Sequence, residues 1–204
     1  LPNSKARDLL FVAYLSIIMD CSERKRDGNG LKMRASKVTD VFAYFEKKLN
    51  TILTDIAAMT PAPGITGACV YDTAYNLCNV YDSSCKDLIP GAIIFSPPYA
   101  NSFDYFESYK LELVLGDYAN GMKGLGALRR KAVRSFVGAG IQSECDEYVD
   151  LIAHEIETAI PLKEQRTGKI DSRTRKVPNM IRGYFSDMHE VIRQCSKCLP
   201  AGKK

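Results

Sequence analysis

The chain of 204 residues lacks any apolar run of the ~20 residues that a membrane-spanning helix needs. It also lacks internal repeats and low-complexity segments. The apolar stretch at residues 9–19 is short and follows no secretory n-region. These absences predict a cytoplasmic protein. A content of 46% hydrophobic and 25% charged residues is typical of one globular domain, which we expect over residues 1–204.

Histidine is scarce, and the cysteines follow no disulfide framework. The two histidines, His154 and His189, fall in separate predicted helices. Seven cysteines, an odd number scattered along the chain, predict reduced thiols. Cys195 and Cys198 form the only close pair, and a zinc site would need a second pair or nearby histidines. We therefore predict no metal, and interpret this pair as two thiols at a helix end.

The net charge is only +4, but the cations are clustered. They concentrate in residues 24–37, 129–134 and 163–176. Such clusters suit a polyanion, because neutralised phosphates release their counterions. A solvated surface is the alternative interpretation of each cluster.

Hydrophobic spacing and helix-stop signals predict helices separated by short strands. The predicted helices are 4–20 (apolar almost all round, so well buried), 37–58, 103–115, 141–160 and 180–199, and the predicted strands are 67–71 and 89–95. Residues 21–36 are expected to form a basic loop, 116–126 a glycine-rich loop, and 163–177 a charged linker. Strands alternating with helices favour an α/β fold with a mostly parallel sheet and flanking helices. Within it we distinguish a helical N-terminal part, residues 1–60, from a strand and loop at residues 89–115.

One corner interrupts the second predicted strand. The run Ala-Ile-Ile-Phe at residues 92–95 ends in Ser96-Pro97-Pro98-Tyr99. Two adjacent prolines cannot continue a central strand, because neither has an N–H to donate. Open α/β sheets bind ligands at the carboxyl ends of their strands. We therefore expect this corner to contact a ligand.

The groups at this corner suit a planar ring that carries an amino group. Ser96 and Pro97 offer oxygen acceptors on a stiff backbone, since the residue before a proline is extended, and Tyr99 offers an aromatic face. An exocyclic amine on a nucleobase is a poor nucleophile, because its lone pair is delocalised into the ring. Fixed acceptors on its hydrogens stabilise the positive charge that develops on nitrogen in the transition state.

The residues after the corner extend this pattern. Ser96-Pro97-Pro98-Tyr99, followed by Asn101, Asp104, Tyr105 and the run Tyr-Lys-Leu-Glu-Leu at residues 109–113, resembles the catalytic region of the DNA amino-methyltransferases. The resemblance implies a Rossmann-like fold and methyl transfer from S-adenosylmethionine (SAM) to cytosine N(4) or adenine N(6). It makes residues 96–99 catalytic and Asn101, Asp104 and Tyr105 their support. A serine in first place favours cytosine, and Asp72, after the first predicted strand, resembles the acidic residue that contacts the cofactor.

The sequence departs from this family in one respect. The family binds SAM through a glycine-rich turn after its first strand, and no strand followed by Gly-x-Gly precedes residue 91. Gly121, Gly124 and Gly126 follow a predicted helix, so they fit a mobile loop better. We therefore expect the fold to be incomplete, with the SAM-binding strand and turn upstream or on a partner chain.

Duplex DNA with one base turned out of the stack is the expected partner, and six cations are its predicted phosphate contacts. They are Arg129, Arg130, Lys131, Arg134, Arg173 and Arg175. Two alternatives stay open. An RNA-base methyltransferase could use a similar corner, with RNA shape and the 2′-OH deciding selectivity. A non-catalytic subunit or remnant that binds nucleic acid would explain why the glycine turn is missing.

Overall fold

The structure is a computed structural model that describes residues 4–28, 30–60, 67, 69–85, 89–100, 103–138 and 146–202. Its elements are α1 (Ser4–Cys21), β1 (Arg24–Asp27), β2 (Gly30–Met33), α2 (Val41–Ala58), a 3-10 turn (Ala74–Asn76), α3 (Leu77–Ser84), α4 (Tyr105–Ser108), α5 (Lys110–Leu115), α6 (Gly121–Lys131), α7 (Glu147–Thr167), a second 3-10 turn (Thr174–Lys176) and α8 (Val177–Cys198). The chain divides into two compact units. Unit 1 comprises Leu1–Ala68 and Asp104–Leu128, and unit 2 comprises Cys69–Phe103 and Arg129–Lys204. The single domain remains a prediction.

Helix α1 is the centre of unit 1 and packs against α2 and α5. The buried apolar side chains of this unit are Ala13, Ile17, Ile18, Ala119 and Leu125. The predicted helix at 4–20 is confirmed, but its uniform burial is wrong, because Val12 is 55% exposed. The buried residues of α1 are Ala13, Ile17 and Ile18, so only part of the helix surface is shielded from water.

Helix α8 is the centre of unit 2 and packs against α7 and α3. Its buried residues Met180, Tyr184, Met188 and Val191 follow one another at steps of three and four, the spacing of one helical face. Ala153 and Ile160 are the buried residues of α7. The predicted helix at 180–199 is thus confirmed and begins slightly earlier. Pro178 occupies its first turn, where a missing N–H costs no helical hydrogen bond.

Aspartates fix the starts of three helices. Asp40 accepts a hydrogen bond from Ala43 N at 3.0 Å before α2, Asp104 accepts one from Glu107 N at 3.0 Å before α4, and Asp146 accepts one from Tyr148 N at 2.9 Å before α7. Each carboxylate satisfies an N–H group that has no partner within its helix. The second predicted helix therefore starts at Val41, not at residue 37.

The predicted basic loop at residues 21–36 is wrong. Strands β1 and β2 pair antiparallel in this segment, with Arg24 opposite Met33 and Lys25 opposite Lys32. The signal that sequence reasoning missed is the run Asp27-Gly28-Asn29-Gly30, since Asp-Gly and Asn-Gly are typical of two-residue hairpin turns. The strands on either side of this turn are hard to recognise in the sequence, because their basic side chains break the usual alternation of apolar and polar residues.

The predicted glycine-rich loop at residues 116–126 is wrong from Gly121 onward, where α6 begins. Gly124 lies within this helix, and a Cβ there would approach the Ala119 carbonyl carbon to 3.0 Å. This glycine therefore allows two backbone segments to approach closely, and does not mark a mobile loop. The predicted helix at 103–115 is also divided, into α4 and α5, at Tyr109.

Within the described residues, the ribbon β1–β2 is the only sheet, so the predicted parallel Rossmann-like sheet is not seen. The predicted strands at 67–71 and 89–95 have no strand conformation at their described residues. Ile94 is 95% exposed instead of buried. A parallel strand gains its hydrogen bonds only from neighbouring strands, and the described residues supply none here. The apolar run therefore stays irregular.

The predicted boundary between the fourth helix and the charged linker is also wrong, because α7 continues to Thr167 through Pro161. Gly168 ends it with a φ of 65°, a left-handed conformation that glycine adopts without strain. In the part of the chain that the structure describes, no helix is long and apolar enough to cross a membrane.

Candidate active site

The corner at residues 96–99 lies in unit 2, in a segment without helix or strand. Ser96 and Pro97 are exposed, Pro98 is half-buried, and the Tyr99 side chain is 68% exposed. Within the described residues, the hydroxyls of Ser96 and Tyr99 have no hydrogen-bond partner. The oxygen acceptors and the phenol ring are thus accessible to a ligand.

The two prolines explain the shape of this corner. Pro97 keeps Ser96 away from the helical conformation, and both rings fix their own φ angles. Because neither ring nitrogen has a hydrogen, the prolines add carbonyl acceptors without adding backbone donors. A ligand that presents N–H groups is therefore better matched to this corner than one that presents only acceptors.

Asp72 is exposed and lies two residues before the 3-10 turn that precedes α3. Its Oδ1 accepts a hydrogen bond from Thr73 N at 2.7 Å, and its Oδ2 accepts one from Asn76 Nδ2 at 2.7 Å. Both bonds lower the pKa of the Asp72 carboxyl, and the bond from Asn76 has the larger effect. The positive charge of Lys131 lowers this pKa further. The carboxylate is therefore ionised at neutral pH and retains lone pairs for a further donor.

Of the three residues predicted to support the corner, the structure describes two, Asp104 and Tyr105. Asp104 is the N-cap of α4, and Tyr105 is the first residue of that helix; both belong to unit 1. Asn101 lies outside the described residues. A capping role for Asp104 is thus visible, and the role of all three in an active site stays a prediction.

Three of the six predicted phosphate contacts form the last turn of α6. They are Arg129, Arg130 and Lys131. Cations are favourable there, because the unpaired carbonyls of the last turn carry partial negative charge. Thr73 Oγ1 donates to the Lys131 carbonyl oxygen at 3.0 Å, which places Lys131 next to Asp72. The structure therefore brings together one predicted cofactor contact and one predicted phosphate contact.

Arg134 forms an ion pair with Asp187 within unit 2. Its guanidinium donates to both carboxylate oxygens of Asp187, from Nε at 2.8 Å and from Nη2 at 2.6 Å. These bonds raise the pKa of the Arg134 guanidinium. Burial and then the charge of Asp187 raise the pKa of the neighbouring Tyr75 phenol. A role for Arg134 in binding phosphate stays a prediction, but its side chain is only 21% exposed.

Arg175 is also paired. It donates to both carboxylate oxygens of Glu164, from Nε at 2.8 Å and from Nη2 at 2.6 Å. This pair links the second 3-10 turn to the end of α7, and the hydrogen bond from Arg175 lowers the pKa of the Glu164 carboxyl. Arg173 is exposed, and its backbone N–H donates to Asp171 Oδ1 at 3.1 Å. The Arg175 side chain and the Arg173 backbone thus hold the segment in place, and phosphate binding by either residue stays a prediction.

The described residues offer little to a metal or a cofactor. They contain no group of three histidine, cysteine or acidic side chains that could hold a metal ion. For SAM they offer one candidate, the Asp72 carboxylate. Of the described strands, β1 does lead into Gly28, which corrects the expectation that no strand before residue 91 is followed by glycines, but it continues into the antiparallel ribbon with β2 and not into a helix. Taken by themselves, these residues therefore do not form a complete cradle for the cofactor.

Comparison with known proteins identifies a class of relatives, the methyltransferases. The chain is similar to two curated proteins that are both called Type II methyltransferase M.AvaI, one from Nostoc sp. (strain PCC 7120 / SAG 25.82 / UTEX 2576) and one from Anabaena variabilis. Each is 24% identical over 225 aligned positions, which cover 98% of this chain and 45% of the relative. No family model and no solved structure matches.

The similarity to these relatives is weak in identity but runs along almost the whole chain. It supports homology to a Type II methyltransferase, in agreement with the coarser part of the resemblance found in the sequence. The chain spans less than half the length of the curated relatives that it matches.

Proposed function

We propose that this chain is part of an enzyme that transfers a methyl group from SAM to the exocyclic amine of cytosine, or of adenine, in DNA. The similarity to a Type II methyltransferase over 98% of the chain is the observation on which the proposal mainly rests. The accessible corner at residues 96–99 is the second support, since its groups suit an amino-bearing base. A role in a restriction–modification system, in the cytoplasm, is part of the proposal.

The corner acts on the amine that receives the methyl group. The carbonyl oxygens of Ser96 and Pro97 and the Ser96 hydroxyl accept hydrogen bonds from its hydrogens. Acceptors at fixed positions stabilise positive charge on nitrogen as the new carbon–nitrogen bond forms. Bound SAM would supply the electrophilic methyl group: its carbon–sulfur bond would break with the electron pair left on sulfur, and the methylated nitrogen would lose one proton to water. We assign cytosine as the first choice because the motif begins with serine.

The target base must leave the duplex before it can reach the corner. Unstacking and unpairing cost a few kcal/mol. Stacking on the exposed ring of Tyr99 returns about 1–3 kcal/mol, the value typical of an aromatic side chain on a single-stranded base. Asn101, Asp104 and Tyr105 are assigned to holding this segment in position. Tyr99 therefore has two tasks, to capture the base and to orient its amine.

The remaining assignments follow the chemistry of each group. The Asp72 carboxylate is assigned to a hydroxyl or amino group of SAM, for which it keeps free lone pairs. Arg129, Arg130 and Lys131 are assigned to DNA phosphates, because cations at the end of α6 can neutralise them without reading sequence. Arg134, Arg173 and Arg175 are weaker candidates for the same role. The SAM-binding glycine turn is assigned to a segment or chain other than the described residues.

The experiment that tests this proposal follows the methyl group. The full-length protein is incubated with methyl-labelled SAM and either duplex DNA or structured RNA, and the nucleosides are then separated by mass. We expect label in DNA as N(4)-methylcytosine or N(6)-methyladenine. Label in RNA alone would establish the RNA-base methyltransferase, and DNA binding without any label would establish the non-catalytic alternative.

A further inference from the structure

The ribbon β1–β2 in unit 1 presents a face that is unusual for a small sheet. In an antiparallel pair, directly opposite residues project from the same face, and successive residues alternate between faces. Lys25 stands directly opposite Lys32, and Asp27 is the next residue of β1 on their face. All four residues of β1 are exposed, and the Lys32 side chain is 68% exposed.

The two lysines on this face, Lys25 and Lys32, repel each other and so destabilise the ribbon. Like charges directly opposite each other destabilise a strand pair. Lys32 is ion-paired with Asp27, and this pair, with a smaller effect of Lys25, lowers the pKa of the Asp27 carboxyl. The Lys25 side chain has no hydrogen bond or ion pair in the described part of the chain. Two ammonium groups thus share one carboxylate, and one positive charge is left uncompensated.

Arg26, a third cation of the ribbon, attaches β1 to the rest of unit 1. Arg26 is ion-paired with Glu112, its Nε donates to the Ser108 carbonyl oxygen at 3.3 Å, and its guanidinium lies 4.4 Å from the centre of the Tyr109 ring. These contacts tie β1 to α4 and α5. The ribbon is therefore held to the body of unit 1 by Arg26, while Lys25 and Lys32 stay in solvent.

The whole segment at residues 24–37 contains six cations and one anion. Such an excess on an anchored element matches a polyanion, since each neutralised phosphate releases counterions. A two-stranded ribbon also has the dimensions that the major groove of B-DNA admits. We propose that Lys25 and Lys32 of the ribbon contact the phosphates of duplex DNA. The choice of DNA rests on the proposed function, whereas the phosphate chemistry rests on the ribbon.

The test is the salt dependence of DNA binding by the full chain, measured by fluorescence anisotropy with a labelled duplex of mixed sequence. For the double variant Lys25→Gln/Lys32→Gln, we expect the slope of log affinity against log salt to become shallower by about 1.8, at about 0.9 per lost phosphate contact. The matched control is Lys47→Gln/Lys48→Gln, which removes two exposed lysines of α2 in the same unit. Its slope is expected to stay within about 0.5 of the unsubstituted chain.

Two results would overturn the proposal. One is a slope unchanged by the ribbon substitutions. The other is equal changes in both double variants, which would indicate a general effect of net charge. Lysines on exposed strands also prevent edge-to-edge pairing, so light scattering is recorded for both variants; aggregation of the ribbon variant with an unchanged slope counts against the proposal. Lys25→Gln alone, which keeps the Lys32–Asp27 pair, is expected to lower the slope by about half as much.

The binding and methyl-transfer experiments distinguish a failure of the ribbon proposal from a failure of the proposed function. If the ribbon determines the salt slope but no methyl group reaches DNA, only the proposed function fails. If DNA is methylated and the ribbon variant binds it normally, only the role of the ribbon fails. A slope that depends on the ribbon with structured RNA, but not with duplex DNA, contradicts the choice of partner.

Discussion

Arg134 and Asp187 form a two-pronged ion pair, with Nη2 2.6 Å from Oδ1 and Nε 2.8 Å from Oδ2. The backbone N–H of Arg134 also donates to Asp187 Oδ2 at 2.8 Å. A carboxylate that accepts three bonds from one residue fixes the chain after α6 to α8. Gly183 of α8 lies beneath the arginine, since a Cβ there would approach Arg134 Nε to 3.1 Å.

The first prediction concerns this ion pair. Asp187→Ala should lower the free energy of unfolding by about 1–3 kcal/mol or more, because it leaves charged donors that are largely shielded from water without an acceptor. Urea denaturation measures it. Arg130→Ala, which removes an exposed cation four residues away, is the control and should stay within about 0.5 kcal/mol. Equal effects of the two substitutions would contradict a structural role for the pair.

The second prediction concerns Gly116, which is buried at the end of α5. A Cβ at this position would approach the Glu112 carbonyl oxygen to 2.7 Å and Leu15 Cδ2 to 2.9 Å. Gly116→Ala should therefore destabilise unit 1 by about 1–3 kcal/mol, the usual cost of overpacking. Gly67→Ala is the matched control in the same unit, since a Cβ there meets nothing within 4 Å. Thermal unfolding measures both, and an unchanged midpoint for Gly116→Ala would contradict the close packing.

The third prediction concerns the thiols of Cys78 and Cys198, whose sulfur atoms are 3.4 Å apart. Burial, and then the contact with Cys78, raises the pKa of Cys198 to about 11. A pKa raised in the folded state contributes stability that is present below the unfolded pKa, about 8.5 for cysteine. This contribution is lost as the pH rises towards the folded value.

Alkylation by iodoacetamide, followed at the Cys198 peptide by mass spectrometry, measures that shift. The pH midpoint should lie near 11 in the folded chain, and near about 8.5 in urea. Cys78→Ala should lower the folded midpoint without bringing it to the unfolded value, since burial is the larger cause. The same midpoint in buffer and in urea would show that Cys198 is not shielded.

The helices were the most predictable part of this molecule. Residues of α2 and α8 recur at helical spacing, and an aspartate or a proline marks where each begins. The failures have physical causes. A cluster of glycines predicts a loop, but Gly124 serves close packing within α6. The apolar run at residues 92–95 predicts a strand, but a strand needs partners that the described residues do not supply.

The candidate site was predictable in its chemistry but not in its contacts. The double proline and the tyrosine identify the corner at residues 96–99 from the sequence alone. The partner of Arg134 could not be predicted, because Asp187 is 53 residues from it along the chain. Only the folded chain shows that these side chains already have neighbours. Arg130 and Lys131, which are exposed at the end of α6, are therefore better candidates for phosphate than Arg134.

The fourth prediction concerns Tyr99. Tyr99→Ala should lower methyl transfer about 10- to 100-fold, because stacking on an aromatic ring contributes about 1–3 kcal/mol per base. Stability should change by less than about 0.5 kcal/mol, since the side chain is 68% exposed. Tyr99→Phe is the control, since it keeps the ring and should retain most of the activity. An equal loss in both variants would assign the effect to the hydroxyl and not to stacking.

The most direct measurement is the rate at which labelled methyl groups pass from SAM to duplex DNA, compared among the full-length protein, Ser96→Ala and Tyr99→Ala. Our account predicts labelled cytosine or adenine with the unsubstituted protein, and a rate at least about 10-fold lower in each variant. Unchanged rates in both variants, or no label in DNA with the unsubstituted protein, would contradict it.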